Sequence, residues 1–588
     1  VGAGTTCIED AICLGLSPDK TELEGVLAKV APPSSKDVTL EYCTNEFDKG
    51  PKSYAFMTKV NVRTIYELGW HQENKLVAEA MIYQAGQLDY AVAALCIWLM
   101  TDTASYLCSE LPIHKLPLAQ WDPPVKRFAS ECRRLGQVFG RGQAELKHAF
   151  RLRKLICLIG RTDQEADWET ELRDRSTVTT AKAAAYDGKV SGNAYTLIRR
   201  RVLDSIATAA IRQLRSRGGS FQEYWEKRWL STPRGTTSKA GEAKRQLKNT
   251  DPKLDLQMRP IKPTIMEMMD AAQVKRQLRG DCFTVARGST KPEPGMKRRA
   301  LLAVDDRTAL IAGYASAGIE VSTKMGGMVL RQDPADVAEW LAFDAGPRVW
   351  RVSNDYSNFN ILHSLRSLQE VDLALARAWD SVPEPWALSK SAAERWVAAS
   401  YNNAVMHTPG GSALARCGLW SGHRNTARDN TFLHLVYLEC VQSIQRLLFG
   451  RYADCTKQRI CGDDETVAFS NWSAAVTHAI VADAAGFTSQ KSKGMLSLRH
   501  DEFLQLVRVV GGVPTYPVAN TMLSFCSGNW YKSTVRNLST VIKDVRDHVW
   551  QMVIGGLPVE RGQELAAKVL NYLVQSKTAD NELVEREW

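Results

Sequence analysis

Between Gln458 and Phe469, two short β-prone stretches flank the polar group Gly462-Asp463-Asp464-Glu465. The pattern predicts strand, tight turn, strand, with two adjacent carboxylates at the tip. Upstream, Arg348–Asn354 reads as a buried strand that runs into Asp355. Apolar positions at helical spacing predict helices over Leu362–Val382, stopped by Pro383 and Pro385, and over Trp472–Ala485. A third helix is predicted over Thr426–Leu448, with Leu433, Val436 and Leu438 facing inward. Thr426 and Asn430 lie four apart on it and share a face. Lys75–Leu107 carries a long helical periodicity, punctuated at its end by Pro112, Pro117, Pro123 and Pro124. Ile198–Arg217 reads as an Arg-rich helix. Phe221, Trp225 and Trp229 fall on a helix core stripe, and beside Lys227 and Arg228 the same rings are also suited to stack bases. Near the C-terminus, Leu538–His548 and Gly562–Gln575 are amphipathic.

Composition narrows the class. The chain has 588 residues and a formal net charge of +10. The excess is concentrated in Ser191–Ala300, where 24 Lys and Arg face 10 Asp and Glu. Such a window suggests a polyanion, nucleic acid first, against the plainer reading of a solvated charged face. Thirteen cysteines, an odd number without zinc spacing, read as reduced thiols and no structural zinc. The most apolar run, Ala91–Met100, is too short to span a bilayer, so no membrane partner is expected. The chain opens Val1-Gly2-Ala3-Gly4 with no basic-then-apolar start, so no leader is expected, and an origin within a polyprotein stays open.

Three ordered segments carry the chemistry. Asp355 stands at the end of its strand in Asp355-Tyr356-Ser357-Asn358-Phe359-Asn360. Ser421-Gly422-His423-Arg424-Asn425-Thr426 leads into Asn430 on the predicted helix. Gly462-Asp463-Asp464 follows. In that order they resemble the palm of a viral RNA-dependent RNA polymerase. Lys291-Pro292-Glu293-Pro294-Gly295-Met296-Lys297-Arg298-Arg299 resembles the basic fingers motif, and Asp501-Glu502-Phe503-Leu504 the short motif after the palm. Ser527-Gly528-Asn529-Trp530 is similar to a block in polymerases of totiviruses and related double-stranded RNA viruses. The resemblance covers about residues 280–531.

The resemblance implies an α+β right-hand polymerase, with an antiparallel palm sheet flanked by helices and a mostly helical remainder. The parts expected are an N-terminal region (1–125) bridging fingers and thumb, fingers (126–347), palm (348–382 and 418–510) with a fingers insertion (383–417), and a thumb (511–588). The reaction implied is two-metal transfer of ribonucleotides to an RNA 3′ end, with Mg²⁺, or Mn²⁺ in its place, about 3.5–4 Å apart. Asp355 and Asp463 are the expected primary ligands, and Asp464, whose side chain on a strand points the other way, is expected to assist or to act from the outer sphere. Asn360, Ser421, Gly422, Thr426 and Asn430 are expected to select the ribose. Many positive-strand RNA virus polymerases have Asp where Asn360 stands; the amide keeps an acceptor and removes a charge. Lys291, Lys297, Arg298 and Arg299 are expected on the triphosphate, where cations stabilise the leaving pyrophosphate. Lys491, or Lys493 in its place, matches a lysine thought to protonate pyrophosphate. Expected partners are RNA template and product, ribonucleoside triphosphates and a capsid protein, within the virion or host cytoplasm, with initiation independent of a primer. Two rivals stand: a reverse transcriptase, disfavoured by the Cys461-Gly462-Asp463-Asp464 turn, and an RNA-packaging protein with a decayed site, disfavoured by the intact acid trio.

Overall fold

A computed structural model describes residues 34–47, 60–121, 125, 150–178, 192–214, 219–228, 232, 237, 245, 248–249, 262–323, 325–330, 340, 349–450, 454–487, 494–498, 500–509, 514–527, 538–573, 576–577 and 583–584. The chain divides into two compact units. The first comprises 1–164, 292–298 and 505–588, and the second 165–291 and 299–504.

The second unit carries the acids. Its main elements are α1 (Gly192–Leu214), β1 (Thr284–Glu293), β2 (Lys297–Val304), α2 (Asp306–Ser316), β3 (Trp350–Asp355), α3 (Leu365–Asp380), α4 (Ala387–Ser400), β4 (Ala404–Thr408), β5 (Gly411–Leu414), α5 (Thr426–Phe449), β6 (Cys455–Cys461), β7 (Asp464–Phe469), α6 (Trp472–Ala484), β8 (Met495–Ser497) and β9 (His500–Phe503). The tips of β1 and β2 belong to the first unit. Side-chain caps start three of these helices: Asp305 on Thr308, Ser364 on Ser367 and Asn471 on Ala474.

One sheet runs β6-β7-β3-β8, and β3 is antiparallel to both β7 and β8. Its pleat gives two faces. Trp350, Val352 and Asn354 share one with their partners Phe469, Val467 and Glu465, and on this side Glu465 meets α5 and α6. Arg351, Ser353 and Asp355 share the other with Ala468, Thr466 and Asp464. Leu433, Val436 and Leu438 of α5 are fully buried, as their spacing predicts. Residues Gly326–Val329 lie along the outer edge of β6: Gly327 accepts the Ile460 amide at 3.0 Å and Val329 donates back at 2.9 Å. Gly327 has φ +76, and a Cβ there would sit 2.0 Å from the Gln458 carbonyl oxygen, so only glycine fits.

A second sheet runs β2-β1-β4-β5, with β4 parallel to β1 from Thr284/Ala404 to Arg287/His407. The 383–417 segment thus returns a strand to β1 after α4 has packed on α3. The Arg-rich helix is α1. It buries Tyr195, Leu203, Ile206 and Ala210, and even Arg199 is buried, donating to Ser367 Oγ at 2.8 Å. Phe221, Tyr224 and Trp225 are core residues too, so the helix-stripe reading of that cluster holds for the described part; Trp229 lies outside the described residues.

In the first unit, the periodic stretch Lys75–Leu107 is three helices, Lys75–Tyr83, Asp89–Leu99 and Asp102–Glu110. Gly86, at φ +77, and the Thr101 cap on Ala104 break it. The C-terminal helices are Ala519–Ser527, Leu538–Ile554 and Val559–Leu573. Trp70 Nε1 donates to Glu564 at 2.9 Å, and Lys568 pairs with Glu67 at 3.0 Å, so both ends of the chain build this unit together. Ala91–Leu99 is fully buried, and among the described residues no single helix is long and apolar enough to cross a membrane.

Candidate active site

The acids meet at the open end of β3 and β7. Asp355 and Asp464 are register partners, the last pair of that ladder. Directly opposed residues on one face hold their Cβ atoms about 4.5–5.5 Å apart. Both are half-buried, and Asp463 is exposed in the turn. Cys461 pairs with Asp464, so the loop is the two residues Gly462 and Asp463. Gly462 takes φ +61 although its surroundings would admit a Cβ, so the glycine is there for its backbone. The structure therefore puts Asp464, rather than Asp463, across from Asp355.

Helix α5 holds that turn. Thr431 Oγ1 accepts the Gly462 amide at 2.9 Å, and His434 Nδ1 donates to the Gly462 carbonyl at 2.8 Å. The other ring nitrogen of His434 meets Glu465 Oε2 at 2.8 Å. Glu465 is fully buried and is also met by His478 Nε2 (3.0 Å), Asn354 Nδ2 (2.8 Å) and Tyr356 Oη (3.0 Å). Burial pushes its carboxyl up, but the contacts with the two histidines outweigh that and hold it well below the usual carboxylate range. Thr431, His434, Glu465 and His478 were not singled out from the sequence. One signal was present: Glu465 shares its strand face with Val467 and Phe469, and an acid on a core face must find partners.

One residue before Thr431, Asn430 Nδ2 donates to Asn360 Oδ1 at 2.6 Å. Successive residues of α5 thus hold the carboxylate turn and the Asn360 amide. Asn360 is half-buried and Asn430 buried. Behind them, His363 Nε2 lies 3.0 Å from Asn430 Oδ1, and His363 Nδ1 lies 2.7 Å from Tyr437 Oη. Ser421 and Thr426 spend their hydroxyls on backbone: Ser421 on Ala300 O at 3.4 Å, Thr426 on Trp420 O at 2.8 Å and His423 O at 2.7 Å. Gly422 bridges to Ala303, and a Cβ there would meet the Leu302 carbonyl oxygen at 2.6 Å. The loop before α5 is therefore fastened to β2 by its own backbone.

Below this face, Arg428 is fully buried among three acids. It bonds Asp372, Glu394 (3.4 Å), Asp429 (2.8 Å) and the Ser316 hydroxyl (2.9 Å). Burial raises the three carboxyls, and Arg428 opposes it.

The basic segment forms the β1–β2 hairpin. Gly295 and Met296, in the three-residue loop that joins the two strands, both take positive φ, +79 and +56. Both of their amides bond the Gly160 carbonyl, and Arg161 bonds the Pro292 carbonyl at 2.8 Å. Lys291, Lys297, Arg298 and Arg299 are all exposed; Lys297 and Arg298 belong to the first unit, Lys291 and Arg299 to the second. The Asp501–Leu504 motif lies along the Asp355 face, where the Glu502 amide bonds Ser353 Oγ at 3.0 Å. Lys491 and Lys493 lie outside the described residues, as do Gly528, Asn529 and Trp530.

Residues 60–543 match the viral RNA-directed RNA-polymerase family. The chain belongs to that family. Its fold is of the α+β class, with helices packed against the antiparallel β6-β7-β3-β8 sheet. No curated protein matches the chain. Among solved structures it is similar to the RNA-dependent RNA polymerase of a human picorbirnavirus, at 15% identity and a TM-score of 0.37, covering 49% of this chain and 56% of that one. It is also similar to the BmCPV RNA-dependent RNA polymerase at elongation state, at 12% identity and a TM-score of 0.46, covering 79% and 41%. A third is the polymerase complex with the segmented genome inside a double-stranded RNA virus, at 11% and 0.46, again covering 79% and 41%. The chain thus spans from about two fifths to under three fifths of the solved chains named.

Among the described residues no three His, Cys, Asp or Glu side chains gather closely enough to hold a metal ion by themselves. Mg²⁺ takes one or two carboxylates and fills its remaining positions with water and phosphate. An opposed pair of carboxylates with a third exposed beside it fits that preference. Like charges directly opposed on a sheet repel, and a cation between them relieves the strain.

Proposed function

We propose that this chain is the RNA-directed RNA polymerase of a double-stranded RNA virus, akin to those of totiviruses, adding ribonucleotides to an RNA 3′ end without a primer. One observation carries the reading: Asp355 and Asp464 form the terminal pair of an antiparallel ladder, and α5 holds both their turn and Asn360 through Thr431, His434 and Asn430.

Asp355, Asp464 and Asp463 would hold divalent ions, Mg²⁺ or Mn²⁺, which when bound activate the 3′-hydroxyl and stabilise the leaving oxygens. The protein supplies placement. The ladder fixes two carboxylates, and the α5 contacts fix the turn that carries the third. Asn360 and Asn430 meet the ribose 2′-hydroxyl, which both donates and accepts hydrogen bonds. Gly422 and Thr426 shape the loop that leads into them, with Ser421 beside β2. Lys291 and Arg299 meet the triphosphate, and Lys491 donates a proton to pyrophosphate. Template pairing reads sequence, so protein contacts to RNA fall on its backbone. In the domain reading, the palm is residues 348–382 and 418–510, with fingers before and within it and the thumb after it. The expected setting is the virion interior, with capsid protein as partner.

The test is a template and substrate matrix. The purified chain is offered RNA or DNA template, ribo- or deoxyribonucleotides, and primer or none. Ribonucleotide product on RNA without primer is expected. Deoxyribonucleotide product on a primed RNA template would favour the reverse transcriptase, and RNA binding with no product in any cell of the matrix would favour the packaging protein.

A further inference from the structure

Behind the ribose pair runs a buried polar chain whose direction can be read. Asn430 gives an amide hydrogen to Asn360 Oδ1, so the oxygen of Asn430 is what faces His363 Nε2. An oxygen there requires a donor, so His363 carries its proton on Nε2. Burial drives His363 down to about 3, with the Asn430 bond opposing, so the ring is neutral and Nδ1 is an acceptor. Tyr437 Oη, 2.7 Å away, fills that acceptor with its own proton. The order is therefore Tyr437 to His363 to Asn430 to Asn360, each donating to the next.

The rings are held for this. Tyr437 is fully buried and stacks on Phe487 with centroids 4.6 Å apart, and His363 meets Phe359 edge-on at 4.6 Å. With its oxygen taken by Asn430, half-buried Asn360 ends the relay on its Nδ2 group. The sequence leaves open whether an amide at this position donates or accepts. The direction of the relay answers that.

We propose that Tyr437 and His363 are positioning residues that fix the amide polarity of Asn430 and Asn360, so that Asn360 offers an N–H donor to the 2′-oxygen of the incoming nucleotide. This rests on the ribose-selecting reading of Asn360 and Asn430. The consequence is specific: a 2′ substituent that only accepts is tolerated better than none, and a carboxylate at 360 reverses that order.

The experiment measures kcat/KM for nucleotides carrying 2′-hydroxyl, 2′-fluoro or 2′-hydrogen, with the full chain and its Tyr437→Phe, Asn360→Asp and Asn430→Ala variants. Tyr437→Phe keeps the ring packing and removes only the first donor. The wild type is expected to rank hydroxyl over fluoro over hydrogen, with fluoro favoured over hydrogen about threefold. Tyr437→Phe should bring that fluoro-to-hydrogen ratio to about one and lower hydroxyl-to-hydrogen discrimination several-fold, with 2′-deoxy incorporation unchanged. Asn360→Asp should put fluoro below hydrogen. A fluoro-to-hydrogen ratio at or below one in the wild type overturns the polarity. Wild-type ratios kept by Tyr437→Phe overturn the relay while the ribose reading stands. Unchanged hydroxyl-to-hydrogen discrimination in Asn430→Ala removes the ribose reading, and the proposal goes with it.

Discussion

His434 donates to the carbonyl of Gly462 at 2.8 Å, although the two are 28 residues apart. Thr431, one turn earlier on the same helix, takes the Gly462 amide. Both polar groups of the glycine that precedes the paired acids are thus held from α5. The carboxylates owe their position to the helix as much as to their own hairpin.

Removing either holder should therefore affect chemistry before binding. Thr431→Val leaves the half-buried Gly462 amide without that acceptor, a cost of about 1 kcal/mol, the net contribution of one hydrogen bond. Thr431→Val and His434→Ala are each expected to lower kcat for ribonucleotide incorporation about tenfold or more, with KM changed less than about twofold. Steady-state kinetics on one template gives both numbers. A loss confined to KM would mean these side chains do not hold the catalytic turn.

Arg428 compensates three buried acids, Asp372, Glu394 and Asp429. Arg428→Met takes away the cation and leaves the acids. A broken buried ion pair costs about 3–5 kcal/mol. Chemical denaturation should show a loss of that size, with Asn430 next to Asp429 disturbed as well. Asp372→Asn is expected to cost less, because burial already favours its neutral form. Equal losses in the two variants would contradict this account of the cluster.

Acid should destabilise the protein through its buried histidines. Burial brings both His363 and His423 down to about 3. Unfolded, each titrates near 6.5. Between those values the unfolded chain binds protons that the folded chain does not, so stability falls as pH falls below about 6.5, by up to about 1.4 kcal/mol per pH unit for each group. Thermal melts from pH 7 to pH 4 should show the decline, and His363→Phe should make it shallower. A melting temperature flat over that range would contradict burial of these rings as neutral groups.

Much of this was legible in local pattern. The hairpin, its acid tip and the strand ending at Asp355 follow from β-prone stretches around a glycine turn, and α5 from its apolar stripe. The pairing of Asp355 with Asp464 was not legible, because register between distant strands leaves no mark on either. Strand alternation alone separates Asp463 from Asp464, but it does not say which of them faces β3. The stretch Lys75–Leu107 hid its breaks for another reason: Ala91–Leu99 is buried on every side, so no polar face marks the helix phase. Gly326-Gly327 gave no reading either, since the need for glycine comes from Gln458. His363 and Tyr437 are not legible in the sequence because a buried polar residue shows its purpose only through its partners, for His363 Asn430, 67 residues away, and for Tyr437 His363, 74 residues away.

The most direct test of the central claim is incorporation of labelled ribonucleotides on a single-stranded RNA template with Mg²⁺ or Mn²⁺, comparing the wild type with Asp355→Ala, Asp463→Ala and Asp464→Ala. RNA binding is measured beside it. The account predicts template-dependent product from the wild type, none from the Asp355 and Asp464 variants and little or none from Asp463→Ala, with RNA binding retained by all. Normal incorporation by Asp355→Ala or Asp464→Ala would contradict the assignment of the active site to this pair.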